Sequence, residues 1–253
     1  MSMLINYGEL TDRIKKHFKF TPEELRAIVI GILIMAFIIS FDRWGVKNFD
    51  FMLGLKNLFG AVLIVALAML LRISAQRVQA LSVGLKIEYR PWIYGLLAGL
   101  VVIIVTNGKL WLLAPGGILV YHLAGHRLGY FRYGLNTWPI GVCGMVGIWA
   151  NLFLAAVFKL LIPHFPENIL LHQAMTFNVW YAVYQSLPIP PLDGSHIFFA
   201  SRLLFVFNIA AVAVFALSIY FLSIFVSLMI AIVIAALVWL VYYWVFETKY
   251  IQY

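Results

Sequence analysis

Charge is what this sequence has least of. Only 11% of its residues are Asp, Glu, Lys or Arg, and only 10 of the 253 are acidic. A soluble domain carries roughly a quarter charged residues, so this chain lacks the groups to clothe an ordinary water-facing surface. Its single cysteine, Cys143, excludes an internal disulfide and any zinc site built on thiolates. The alternating apolar and polar strands of a membrane barrel are missing, because the apolar runs here are continuous. No internal repeat and no low-complexity stretch is present. The first 25 residues are polar and charged, which argues against a cleavable signal peptide.

What is there is the complement of those absences. The chain is 64% hydrophobic, with a formal net charge of +8. It reads as an all-α polytopic membrane protein. In that class an excess of Lys and Arg marks cytoplasmic loops rather than nucleic-acid contact.

Taken in order, residues 1–25 are amphipathic and basic. Thr21-Pro22-Glu23-Glu24 has the order of an N-cap, a first-turn proline and first-turn acids, so a helix starts at Pro22. Spans are predicted at 27–41 and 51–71. Residues 72–90 hold Arg72, Arg77, Lys86 and Arg90 against Glu88 alone, and read as a cytoplasmic loop with a surface helix or a strand at 82–89. A third span runs from Pro91-Trp92 to Thr106. The run 110–121 is interrupted by Pro115-Gly116-Gly117, which predicts a short helix from Gly116 to Arg127. Residues 127–137 read as a cytoplasmic loop or a re-entrant hairpin. Spans follow at 138–162 and 168–187, a new helix at Ser195, and two spans within 203–246 that part near Ser218–Ser223. That makes about eight membrane segments with both termini cytoplasmic. Three regions follow: 1–92, 93–202 and 203–253.

Two stretches carry chemistry. His122 and His126 are four residues apart and share one face if the segment is helical. Two imidazoles at that spacing can bind one zinc ion. Asp193, in Pro190-Pro191-Leu192-Asp193-Gly194, can supply a third, oxygen ligand and leave the fourth position open, as in catalytic zinc sites. An ionisable group within an apolar run is functional by default, because leaving it unpaired there is costly. As an alternative role, Asp193 could cap a helix. Asn151, Asn178 and Gln185 read either as interhelical hydrogen-bonding residues or as groups that hold an extended peptide. His17, His164, His172 and His196 lack partners at ligand spacing, although His196 shares a helix face with Asp193.

The pair of motifs resembles the site-2 protease family of intramembrane zinc metalloproteases, over residues 93–202. The resemblance implies a zinc ion held by His122, His126 and Asp193, a re-entrant hairpin at 127–137, and a transmembrane segment of another protein as substrate. It also implies substrate handling by Asn178 and, more loosely, Gln185. The sequence departs from the family at position 123, where Leu123 stands in place of the glutamate that serves as general base. Leucine accepts no proton, so the expectation is a zinc-binding homologue that cleaves slowly or not at all, and in which Leu123→Glu is the change that raises activity. The competing class is a transporter or metal-permeation protein, which broken helices with buried His and Asp would also suit.

Overall fold

The computed structural model describes residues 7–45, 49–123 and 136–248. Its elements run in the order α1 (Tyr7–His17), α2 (Pro22–Ser40), α3 (Phe51–Ser82), β1 (Leu85–Pro91), α4 (Ile93–Val105), β2 (Gly116–His122), α5 (Thr137–Leu161), α6 (Ile169–Gln185), α7 (Asp193–Ala200), α8 (Arg202–Ser218) and α9 (Ile224–Tyr242). Three helical stretches are long and apolar enough to cross a membrane: Phe51–Ser82, Thr137–His164 and Ile224–Glu247. Ile93–Val105 and Arg202–Ser218 are shorter apolar helices.

Helix starts follow the local chemistry. The Thr21 side chain accepts the Glu24 N–H ahead of Pro22. Asp50, Asn136, Asn168, Ser201 and Ser223 cap α3, α5, α6, α8 and α9 in the same way. Such caps satisfy backbone donors that a helix start otherwise leaves open. The break expected near Ser218–Ser223 is present, between the end of α8 at Ser218 and the Ser223 cap.

Two expectations fail, for related reasons. The second span does not stop at residue 71. α3 continues through Arg72 and Arg77 to Ser82, and both arginines are buried. Each has a buried carboxylate to pair with, so neither marks a solvent loop. The helix ends where Gly84 takes φ +77, a conformation that suits glycine beyond a helix C-terminus. β1 follows at once, so Glu88 lies on a strand and not in a loop.

The second failure concerns the helix expected from Gly116 to Arg127. The described residues are mostly helical, but a two-stranded hairpin is added to the helices and no helix carries His122. Gly116–His122 is a strand, paired antiparallel with β1 from Gly116↔Pro91 to His122↔Leu85. The Leu123 N–H extends the ladder to the Gly84 carbonyl, at 3.2 Å. Residues 110–115 are in neither helix nor strand and run along α4. There a Cβ on Gly95 would sit 2.4 Å from the Ala114 carbonyl oxygen, and one on Gly99 would sit 2.7 Å from that of Leu112. Glycines four apart on one helix face give an extended chain room to approach the backbone. Pro115, which cannot donate to a helix, then feeds the strand. The segment 110–121 is therefore not a membrane helix. His126 and the hairpin expected at 127–137 fall largely outside the described residues.

The core has two main parts. One lies between α2, α3, α4 and α6, around Met35, Ile39, Val65, Met69, Phe177 and Tyr181. The other lies between α5, α6, α8 and α9, around Ile148, Leu152, Val179 and Val212. The inner face of the hairpin adds Leu85, Ile87 and Ile118 against Ala80 of α3 and Cys143 of α5. The site lies where these parts meet.

Candidate functional site: a buried ion pair at Asp193

Asp193 is the first residue of α7, behind the cis Pro190-Pro191 bond. It makes no helix-capping bond with its side chain. That side chain turns inward and is fully buried. It meets α3, where Arg72 Nη2 donates to Oδ2 at 2.6 Å and Arg72 Nε donates to the same oxygen at 3.1 Å. Gln76 Nε2, one turn further along α3, donates to Oδ2 at 2.7 Å. The second oxygen, Oδ1, is buried with no hydrogen-bond partner.

Arg72 spends its other donors on α6. Nη1 donates to the Tyr181 hydroxyl at 2.6 Å, and Nη2 donates to Gln185 Oε1 at 2.7 Å. The guanidinium carbon lies 5.1 Å from the centre of the Tyr181 ring. Gln185 Nε2 in turn donates to the Gly116 carbonyl at 3.3 Å. One arginine thus joins α3, α6 and α7, and Gln185 joins them to β2. Glycines let the backbones close in: a Cβ on Gly117 would lie 1.7 Å from the Pro191 carbonyl oxygen, and one on Gly147 would lie 2.9 Å from Asp193 Oδ2.

Of the residues singled out in the sequence, Gln185 and Asp193 come together here, with Asp193 N–H pointing at Gln185 Oε1 at 3.5 Å. Asn151 and Asn178 are buried but join no hydrogen bond of this cluster. Asn178 Nδ2 donates to the Ala174 carbonyl at 2.8 Å, and both amide atoms of Asn151 lack partners among the described residues. The turn before α7 meets β2 at Gly117, and α7 itself reaches Ile118, whose carbonyl lies 3.2 Å from His196 Nε2. His122 is four residues further along the strand, about 13 Å from Ile118 at ordinary strand rise.

Arg72, Gln76 and Tyr181 were not anticipated. The signal was present in the spacing: Arg72 and Gln76 are four apart, and so are Tyr181 and Gln185. Polar pairs at that interval on apolar helices face the same neighbour. The positive-inside rule obscured it, because it counts an arginine as a loop charge before asking for an internal partner.

The resemblance implies zinc, and the donor set can be tested against it. Among the described residues, no three His, Cys, Asp or Glu side chains converge. Asp193 already faces a cation through Oδ2; His126 lies outside the described residues and takes no part in this test. The described residues do not fit a zinc centre.

Comparison with known proteins gives one relative to weigh against that geometry. The chain is 26% identical over 184 residues, 71% of its own length and 85% of the relative's, to a Methanocaldococcus jannaschii protein named "Putative zinc metalloprotease MJ0611". No protein-family model and no solved structure matches the chain. The similarity is consistent with a metalloprotease family. The aligned length exceeds the 93–202 stretch that carries the motifs, so the likeness extends into the flanking helices.

Proposed function

We propose that this chain is a metalloprotease-like membrane protein that receives a transmembrane segment of another protein and cleaves it slowly or not at all. The observation that carries this reading is the state of the acids. Of the ten acidic residues, the two that are buried, Glu24 and Asp193, are both held by arginines, Arg77 and Arg72. With Leu123 at the family's general-base position, each buried carboxylate is neutralised by an arginine, which lowers its tendency to take a proton from an attacking water. The neutralisation of both buried acids by arginines also counts against cation permeation.

The segment-binding half of the reading is supported by a groove of about 240 Å³ beside the site. It is lined by Lys109, Leu110, Trp111, Thr176, Trp180 and Tyr184. Tyr184 is the immediate neighbour of Gln185, and Trp180 is 45% exposed. An aromatic and apolar groove next to a polar cluster suits an apolar helix that carries a locally unwound, polar stretch.

The test is a photo-crosslinkable residue at position 180, with single-span test proteins co-reconstituted in vesicles. A cross-link to a test span, with cleavage at least ~10²-fold below that of an active metalloprotease, is the expected result. No cross-link to any span of a varied panel would remove the binding half. Chelator-sensitive cleavage at the rate of active relatives would remove the silent half.

A further inference from the structure

The contact set of Arg72 is unusual for an apolar helix. Its guanidinium is fully buried, donates twice to one carboxylate oxygen, once to a phenol and once to an amide, and sits over an aromatic ring. Guanidinium stays charged in any protein environment, so this is a permanent cation fixed in place by four bonds. Asp193 would otherwise be a buried carboxylate, which needs a cation or a proton.

We propose that Arg72 is a built-in counter-ion that takes the place of a metal at Asp193, so that the core assembles and stays stable without a divalent cation. The inference rests on the reading that Asp193 occupies the acidic-ligand position of a metalloprotease. The electrostatic logic is a charge count. Asp193 and Arg72 together are neutral. A zinc ion on Oδ1, with neutral imidazoles, would leave two surplus positive charges in a buried site. Without Arg72 the same zinc would leave only one. Arg72 therefore sets the site against dications, and it does so while tying α3 to α6 and α7. Gln76 strengthens the arrangement, because its amide N–H donates to the oxygen that Arg72 already holds and leaves that oxygen no lone pair directed at a metal.

The experiment uses the full chain purified in detergent without added metal. Zinc is measured by elemental analysis, and the unfolding temperature is read with and without EDTA and with added zinc chloride. The expected result is zinc far below one per chain and an unfolding temperature that neither treatment moves. Arg72→Met should lower that temperature by about 10 °C in EDTA, because a buried carboxylate loses its cation. Should Arg72→Met fail to accumulate, Arg72→Lys keeps a positive charge and should fold metal-free. Stoichiometric zinc in the unmodified chain, a fall in its unfolding temperature on EDTA, or an Arg72→Met variant as stable as the parent would overturn the proposal. The readout is separate from segment binding. A zinc-free chain that captures no span sinks the binding reading alone, and a zinc-loaded chain that captures one sinks this proposal alone.

Discussion

Arg72 Nη2 lies 2.6 Å from Asp193 Oδ2 across 121 residues of sequence, and neither side chain has any exposed surface. Burying two charges costs several kcal/mol per ion, and only close geometry with further hydrogen bonds recovers it. That asymmetry gives the first prediction. Asp193→Leu leaves a guanidinium buried without its carboxylate and should cost about 3–5 kcal/mol. Adding Arg72→Leu removes the orphaned charge, so the double variant should be more stable than Asp193→Leu alone. Denaturant unfolding in mild detergent measures both. Additive losses would mean that the two side chains do not interact.

The second buried pair holds down the N-terminal arm. Glu24 Oε1 accepts from Arg77 Nη2 and, at 2.9 Å, from the Tyr89 N–H. Arg77 Nη1 donates to the carbonyls of Phe18 and Lys19 at 2.8 and 3.0 Å, and its guanidinium lies 4.1 Å from the Phe20 ring centre. One acid therefore orients an arginine that grips three residues between α1 and α2. Glu24→Ala should free that arm. Trypsin should then cut at the exposed Lys15, Lys16 and Lys19 several-fold faster than in the parent. Unchanged cleavage rates would show that the arm is held by its other contacts, such as Arg13 to the Leu81 carbonyl.

Packing of the strand against the Pro190-Pro191 turn gives a third prediction. At Gly117 an added Cβ would meet a backbone carbonyl oxygen at 1.7 Å, and neither side is a flexible side chain. Gly117→Ala must push β2 away from the Pro190-Pro191 turn and should cost at least ~2 kcal/mol, in the range of overpacked cores. Gly31 provides the control. A Cβ there meets the Met69 methyl and the Tyr89 hydroxyl at 3.4 Å. That is ordinary contact, and a helical alanine gains about 0.5–1 kcal/mol over glycine. Gly31→Ala should therefore be neutral or stabilising. The two thermal shifts should have different signs or very different sizes, and equal shifts would refute the packing argument.

The helices legible in the sequence are those with a continuous apolar run, such as α2, whose start Thr21-Pro22 also marks, and α8 and α9, which length alone separates. What stayed hidden has a common cause. β2 is a run of apolar residues with no alternation, Gly-Ile-Leu-Val, and by periodicity alone a buried strand and a helix segment look alike. Its partners on β1 lie 25 to 37 residues earlier, so only the tertiary pairing decides. The non-helical path of 110–115 depends on Gly95 and Gly99 of another element. Asp193 stood out because its motif is specific, but as a metal ligand and not as the partner of an arginine. Arg72 did not, since an arginine after a 21-residue apolar run looks like the end of a span until its carboxylate is found.

A fourth prediction concerns sidedness. Glu88 lies on β1, beside the start of α2 where Tyr89 meets Glu24. Glu167 lines a cavity with Asp42 and Arg43, just past the other end of α2. The 19 residues of that helix separate the two places by about 28 Å at ordinary helical rise. In a Cys143→Ala background, cysteines at 88 and 167 should react with a membrane-impermeant maleimide from opposite sides of sealed vesicles. Sequence places position 88 on the cytoplasmic side, although only Lys86 and Arg90 remain to argue it once Arg72 and Arg77 are counted as internal. Labelling of both cysteines from one side would exclude a membrane crossing between them.

Leu123 is where strand geometry reverses the expectation from sequence. On a helix, a glutamate at 123 would sit beside the face shared by His122 and His126. Along an extended backbone, neighbouring side chains point to opposite faces. His122 shares the inner face with Ile118 and Val120, whereas Leu123 follows Tyr121 and Leu119, which are exposed. A glutamate at 123 would thus turn away from the interior where Asp193 lies, and Arg72 would still hold Asp193. Leu123→Glu alone should leave cleavage of a co-reconstituted test span at the parent's level. It should also cost little stability, because the position is half-buried and a carboxylate there can reach water. General-base help is worth about 10² to 10⁴ in rate, so its arrival would be easy to see. A chelator-sensitive gain of ~10² or more in Leu123→Glu would mean that the strand through His122 is not the form that meets a substrate segment.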